Sequence, residues 1–447
     1  MRIAEHAILM LFKIVEYMKS VRLFLIFVLM TYLSVSAQTT LKEKLQALPE
    51  ISEIVPLEKG EFGEKYLVYF TQPIDHQNPS LGTFKQRVFV SHLNFKNPTV
   101  MVTEGYGAEG AKSPRYRNEL SRLFETNQVV VEHRYFLEST PNPKDWTYLT
   151  TKQSAADLHA ICMALKKVYP GKWITTGASK GGQTTALYRT YYPDDVDISV
   201  PYVAPLNYGV EDGRHEPFIR NVSTAADRKV VQDFQMEVFK RRATLQPMFE
   251  KHCKDNNLTF PVTMGEIYDF SVLEYSFAMW QYGYPISKIP RPTASDKEIF
   301  DHWIQQCNPS NFNKEGYFKS FFVQAAKELG YYGYDIKPFK KYMELKSTKG
   351  WLSRLLLPDE LKGVKFDKTM AKDVTKFLKK NDPKMIYIYG EFDPWSASGV
   401  CAWLNTSKKK NLHVYVIPGG NHGARIGVMQ EPMQSEVKAL IQKWLNE

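Results

Sequence analysis

The segment Gly177-Ala178-Ser179-Lys180-Gly181 places a serine inside a G-x-S-x-G spacing. Glycines on either side permit a sharp turn that lifts the hydroxyl clear of its neighbours, as a nucleophile requires. A serine hydroxyl attacks only when a base takes its proton, and the base needs a carboxylate to orient it. Downstream, Tyr387-Ile-Tyr-Gly-Glu391-Phe-Asp393-Pro-Trp395 offers Asp393, with Glu391 as the nearby substitute. Further on, Val414-Tyr-Val-Ile-Pro-Gly-Gly-Asn-His422-Gly423 offers His422 in a glycine-flanked loop. His413 falls at the start of an apolar run and is expected to be structural. The chemistry open to Ser179, Asp393 and His422 together is acyl transfer through a covalent serine intermediate.

That reaction also needs backbone donors for its oxyanion. The N–H of Lys180, directly after the serine, is one candidate. The other is expected from Thr103-Glu104-Gly105-Tyr106-Gly107, which follows the apolar run Val100–Val102, through the N–H of Gly105 or Tyr106. Glu104 is out of place there. A carboxylate beside a developing negative charge opposes it unless turned away or paired with a cation.

The elements that must hold these residues are legible in the hydrophobic pattern. Tyr66–Phe70 and Arg87–Val90 are β-rich, and Val100–Thr103 and Val129–Val131 are short continuous apolar runs, the form of strands buried on both faces. Leu158, Ile161, Cys162, Leu165 and Val168 repeat at helical spacing within Ser154–Tyr169, and Pro170-Gly171 stops that helix. Trp173–Thr176 reads as a strand, Gln183–Tyr192 as a helix, and Ile198–Val203 as a further strand. Residues 206–380 are rich in helix formers and aromatics. Sheet-like runs resume at Met385–Tyr389 and His413–Ile417, before an amphipathic helix, Gln434–Leu445. Strand–helix alternation implies a mainly parallel sheet covered on both sides. The order serine, acid, histidine at successive strand ends is that of the α/β-hydrolase fold. The expected organisation is therefore an α/β-hydrolase domain of residues 38–205 and 381–447, with a helical cap, 206–380, inserted before the acid and the histidine.

Residues 1–37 are expected to be a signal peptide. Lys19 and Arg22 precede the apolar run Leu23–Leu33, too short to span a bilayer, and Val35-Ser36-Ala37 has a signal peptidase's small-residue spacing. Met18 opens this pattern cleanly, so 1–17 reads as an upstream extension. The expected location is secreted or periplasmic, with no membrane span after signal removal. Such a compartment would permit a Cys253–Cys307 disulfide, although the four cysteines allow three full pairings. None of the four has metal-ligand spacing, and no metal or cofactor is expected. Asn221, Asn257 and Asn405 head glycosylation-type triplets, relevant only in a eukaryotic secretory route.

The chain's 447 residues are 43% hydrophobic, which excludes a disordered or collagen-like protein. Its net charge of +10 is dispersed, with no long block of one sign, so no nucleic-acid partner is expected.

Several segments carry a family resemblance. Glu132-His133-Arg134-Tyr135-Phe136, Gln153-Ser-Ala-Ala-Asp157-Leu158, Gly177-Ala-Ser-Lys-Gly-Gly182, Tyr192-Pro-Asp-Asp-Val-Asp197, Tyr202-Val-Ala-Pro205, Phe392-Asp-Pro-Trp-Ser-Ala397 and Asn421-His-Gly-Ala424 resemble the secreted prolyl tripeptidyl aminopeptidases. These are bacterial serine peptidases, related more distantly to the lysosomal prolyl carboxypeptidase and dipeptidyl peptidase group. The resemblance covers most of the chain and is weak through the middle of the insertion. Lys180 stands where remoter relatives usually have Tyr, which favours the tripeptidyl branch. The resemblance implies Ser179, Asp393 and His422 as a catalytic triad, and release of short peptides from free N-termini with proline favoured before the cut.

An exopeptidase must hold its substrate's ammonium with carboxylates at a fixed distance from the nucleophile. Glu211 and Asp212 are the acids to test, with Glu104 behind them. An aromatic pocket from the insertion would suit a proline ring. The alternatives are an esterase or lipase with the same triad, disfavoured by the Glu-Gly-Tyr-Gly loop, and a catalytically silent peptide-binding protein. Spacing leaves the oligomeric state open.

Overall fold

A computed structural model describes residues 2–33, 40–313 and 315–447. Two compact units are present, Met1–Ala47 and Leu48–Glu447. The first contains helices α1 (Arg2–Leu33) and α2 (Leu41–Gln46). Among the described residues no helix is long and apolar enough to cross a membrane. The expected cleavage motif Val35-Ser36-Ala37 lies outside the described residues.

The second unit is built on nine strands: β1 (Ile51–Pro56), β2 (Glu64–Pro73), β3 (Thr83–His92), β4 (Thr99–Thr103), β5 (Asn127–Val131), β6 (Trp173–Ala178), β7 (Ile198–Tyr202), β8 (Met385–Gly390) and β9 (Leu412–Ile417). They form one sheet in the order β1-β2-β3-β5-β4-β6-β7-β8-β9. Strands β1, β2, β3 and β5 pair antiparallel in succession, and every pair from β5 to β9 is parallel. The continuous apolar runs are the interior strands, with β4, β5, β7 and β8 buried at every residue. Strand β1 carries no such run and pairs at the sheet's edge, which is why its pattern was silent.

Helices α3 (Glu119–Phe124), α4 (Thr151–Lys166) and α5 (Lys180–Tyr191) connect the parallel strands. Helix α4 begins three residues before the apolar stripe suggests, because the Thr150 hydroxyl accepts the Gln153 N–H at 3.2 Å and caps it. Helix α5 likewise starts at Lys180 rather than Gln183. Its first turn closes directly on the serine, with Gln183 N–H donating to Ser179 O at 2.9 Å.

Between β7 and β8 the chain forms α6 (His215–Asn221), α7 (Ala225–Lys240), α8 (Arg242–Asp255), α9 (Met264–Tyr282), α10 (Asp296–Gln306), α11 (Lys319–Gln324), α12 (Trp351–Leu356) and α13 (Thr369–Lys380). Helix α14 (Met433–Asn446) ends the chain. The insertion has its own aromatic core, in which Phe249 stacks on Trp303 with centroids 5.2 Å apart. Helix α9 runs through that core and is buried on nearly all faces, so it shows no amphipathic stripe. Cys253 and Cys307 are both buried there, but all four cysteines are free thiols, so the permitted disulfide is not formed.

Candidate active site

Ser179 occupies the single residue between β6 and α5, with φ 55° and ψ −123°. A non-glycine residue at positive φ is strained, and here the surroundings enforce it. Ser179 N–H donates to Tyr202 O on β7 at 3.0 Å, while its carbonyl receives the first bond of α5. The turn is possible because a Cβ on Gly177 would lie 2.4 Å from Gly181 O and 2.7 Å from Thr103 O. Only a bare α-carbon lets strand, helix and the end of β4 converge this closely.

Asp393 and His422 come from the loops after β8 and β9. His422 Nδ1 lies 2.7 Å from Asp393 Oδ2, and the carboxylate is fully buried. The other carboxylate oxygen, Oδ1, accepts the Trp395 N–H at 3.1 Å. The histidine loop is also gripped from the insertion: His422 N–H donates to Gln281 O at 2.9 Å, and Asn421 Nδ2 to Tyr282 O at 3.1 Å. His422 Nε2 is buried and has no hydrogen-bond partner, so no bond to Ser179 is closed in this state. Glu391 is turned to the surface, where Oε2 accepts the Gly419 N–H at 2.8 Å. His413 bonds Lys410 O at 3.1 Å and packs beside Tyr415 and Trp444.

The loop after β4 presses against the serine turn. A Cβ on Gly105 would lie 2.6 Å from the Lys180 Cβ and 2.7 Å from Gly181 N. The Lys180 side chain is buried; its ammonium donates to Gly105 O and sits 5.4 Å from the Tyr106 ring centroid and 4.9 Å from that of Phe136. Burial draws its pKa well below the usual lysine value. Glu104 therefore does not receive the neighbouring cation. Its carboxylate takes neither an ion pair nor a hydrogen bond among the described residues. Burial, aided by repulsion from Glu132, pushes its pKa up to about 7, so the acid is largely neutral in mildly acidic solution.

Ser179 opens into a cavity walled by the insertion, with Phe321, Tyr331, Tyr332, Trp351 and Trp395 among its lining residues. Tyr331 and Tyr332 stack with centroids 4.3 Å apart, and both set edges against Trp395. The sequence-derived acids are placed elsewhere. Asp212 is buried and committed to Arg214 at 2.6 Å and to the Tyr208 N–H at 2.8 Å. Glu211 accepts the Gly350 N–H. Neither lines the serine cavity, nor does Glu104. Among the described residues the one carboxylate that does is Glu274 of α9, held by the hydroxyls of Tyr332 at 2.8 Å and Tyr334 at 2.7 Å. Sequence reasoning passed over it. Its only signal is an acid in the otherwise apolar stretch Phe270-Ser-Val-Leu-Glu-Tyr-Ser-Phe277. Among the described residues no cluster of histidine, cysteine or acids could hold a metal ion.

A mainly parallel sheet presenting a serine on a strained strand–helix turn, with an acid–histidine pair from later strand ends, is an α/β-hydrolase. Within that class the chain belongs to the PS-10 peptidase S37 family, which it matches over residues 36–446, and it is a serine peptidase. It is 31% identical over 419 residues to a prolyl tri/tetrapeptidyl aminopeptidase of Streptomyces mobaraensis, covering 91% of this chain and 85% of that protein. It is 29% identical over 198 residues to a lysosomal Pro-X carboxypeptidase of Mus musculus, a match covering 40% of each chain. Among solved structures it is similar to a proline iminopeptidase of Mycobacterium smegmatis, with TM-score 0.38, 12% identity, and coverage of 84% of this chain and 98% of that one.

Proposed function

We propose that the protein is a secreted or periplasmic serine exopeptidase releasing short peptides, chiefly tripeptides, from free N-termini, with cleavage favoured after proline. The observation that carries this reading is the Asp393–His422 pair beside a serine cavity roofed by aromatic side chains and entered, among the described residues, by a single carboxylate. An aromatic box suits a proline ring through apolar contact. The similarity to the Streptomyces aminopeptidase supports the same substrate class. Residues 206–380 act as the cap that shapes the cavity.

In this mechanism Ser179 Oγ attacks the carbonyl carbon of the scissile bond while its proton passes to His422 Nε2. The resulting oxyanion is held by the N–H groups of Lys180 and of Gly105 or Tyr106. His422 then returns the proton to the departing amine, leaving an acyl-enzyme. A water molecule, deprotonated by His422, attacks the ester, and collapse of the second tetrahedral intermediate frees the peptide carboxylate and restores Ser179. Asp393 holds the imidazole with Nε2 facing the serine and stabilises its charged form. The Ser179–His422 hydrogen bond is expected to close as substrate binds, as catalytic hydrogen bonds often do.

Mass spectrometry of products from Xaa-Xaa-Pro-extended peptides tests the reading. Tripeptide release that disappears in Ser179→Ala, with fluorophosphonate labelling lost in the same variant, is the expected result. Unchanged release by Ser179→Ala, or faster turnover of simple acyl esters than of peptides, would overturn it. N-terminal sequencing of the exported protein is expected to begin near Gln38.

A further inference from the structure

We infer that Glu274 is the counter-ion for the substrate's α-ammonium, with the Trp395 indole N–H and the Gln183 side-chain amide as donors to the peptide carbonyls behind it. The inference rests on the exopeptidase reading above and specifies how that site recognises a chain end.

The cavity wall is otherwise mostly aromatic and amide, the ammonium of Lys180 at the serine end is turned to Gly105 O, and Glu274 is the single carboxylate among the described lining residues. Both its oxygens accept from the Tyr332 hydroxyl, at 2.8 and 2.9 Å, and Oε2 also accepts from Tyr334 at 2.7 Å. These donors are neutral, and no cation pairs with the acid among the described residues. A buried carboxylate with hydrogen bonds but no counter-charge is incompletely compensated, and an incoming ammonium supplies what is missing. Burial raises its pKa to about 7 even against the two phenols.

Two further groups point to a peptide. The Trp395 Nε1 and Gln183 Nε2 donors are buried and have no partner, although both residues line the same cavity. Buried donors are rarely left unpaired, and together they match the acceptors of an extended backbone. Trp395 also joins this end of the cavity to the reacting end, since its backbone N–H holds Asp393. Asp212 and Glu211 cannot take the role, because each is already bonded within the protein outside this cavity.

The test compares Xaa-Xaa-Pro-Xaa peptides with free and N-acetylated termini, in the full-length enzyme and in Glu274→Gln, with active enzyme counted by fluorophosphonate titration. The wild-type ratio of kcat/KM for free over acetylated peptide is expected to fall about 10- to 100-fold in Glu274→Gln, chiefly through KM, the effect of losing one charge-assisted hydrogen bond. An unchanged ratio would overturn the assignment of Glu274. A wild-type enzyme indifferent to acetylation would instead overturn the exopeptidase reading itself, and the anchor with it. Should Glu274→Gln not fold, Glu274→Asp keeps the charge but withdraws it by one methylene. KM is then expected to rise several-fold more for the free than for the acetylated peptide, and an equal rise for both would overturn the inference.

Discussion

His422 Nδ1 sits 2.7 Å from Asp393 Oδ2, and Asp393 has no exposure to solvent. A buried carboxylate at that distance fixes both the tautomer and the direction of the ring, leaving Nε2 as the atom that takes up a proton. Asp393→Asn would preserve the shape while presenting the wrong hydrogen-bonding partner. The expected result is a fall in kcat of about 10^4-fold with KM little altered. Steady-state kinetics on a chromogenic prolyl peptide checks it, and a loss below tenfold would remove Asp393 from the proposed triad.

The strained backbone at Ser179, with φ 55°, leads to an opposite pairing of stability and activity. Glycine adopts that conformation freely, so Ser179→Gly is expected to be inactive yet more stable than wild type by about 1 kcal/mol. Urea unfolding of both proteins reads the difference. A destabilised glycine variant would show that the serine turn is relaxed.

Gly105 packs so closely on Lys180 that a methyl group there must push the β4 loop away. If that loop supplies an oxyanion donor, Gly105→Ala should lower kcat by about 100-fold, because a displacement near 1 Å is enough to misplace such a donor. With Glu274, Trp395 and Gln183 as the proposed substrate contacts, KM is expected to change far less. A rise in KM alone would move the donor to another loop.

Glu104 makes stability depend on pH with a defined sign. Its folded pKa, about 7, lies above the ordinary glutamate value because burial disfavours the charged form. The folded state therefore binds the proton more tightly than the unfolded state. The stability this provides is full below the unfolded pKa and is lost as pH rises through 7. Glu104→Gln, which never ionises, should be more stable than wild type at pH 8, with the advantage shrinking toward pH 5. Denaturant midpoints at the two pH values decide it; a constant difference would mean that Glu104 stays ionised throughout.

What the sequence disclosed follows the reach of its signals. Interior strands such as β4 and β8 are short apolar runs because both faces are covered, so they could be read directly. Ser179, Asp393 and His422 stand at strand ends in an order the fold imposes, and their positions followed from the strands. The acid in the cavity was not legible because α9 is buried almost all round. Without a polar face, nothing in its spacing separates Glu274 from its neighbours. Glu211 and Asp212 drew attention by lying soon after β7. Whether such an acid faces a cavity or closes its own loop depends on how the loop folds, here on the distant Gly350 for Glu211 and on a local turn that brings Arg214 and the Tyr208 N–H to the Asp212 carboxylate.

Helix α9 holds the histidine loop at Gln281 and carries Glu274 seven residues earlier. Those two points lie about 10 Å apart along the helix axis, at 1.5 Å per residue. Three residues of extended peptide also span about 10 Å. With Glu274 as the anchor, the length of the released fragment is then set by a rigid rod of fixed pitch rather than by the depth of a flexible pocket. Because helix positions share a face only at steps of three or four residues, the next site for such a carboxylate on the same helix lies about 5 Å further back, more than one residue of extended peptide.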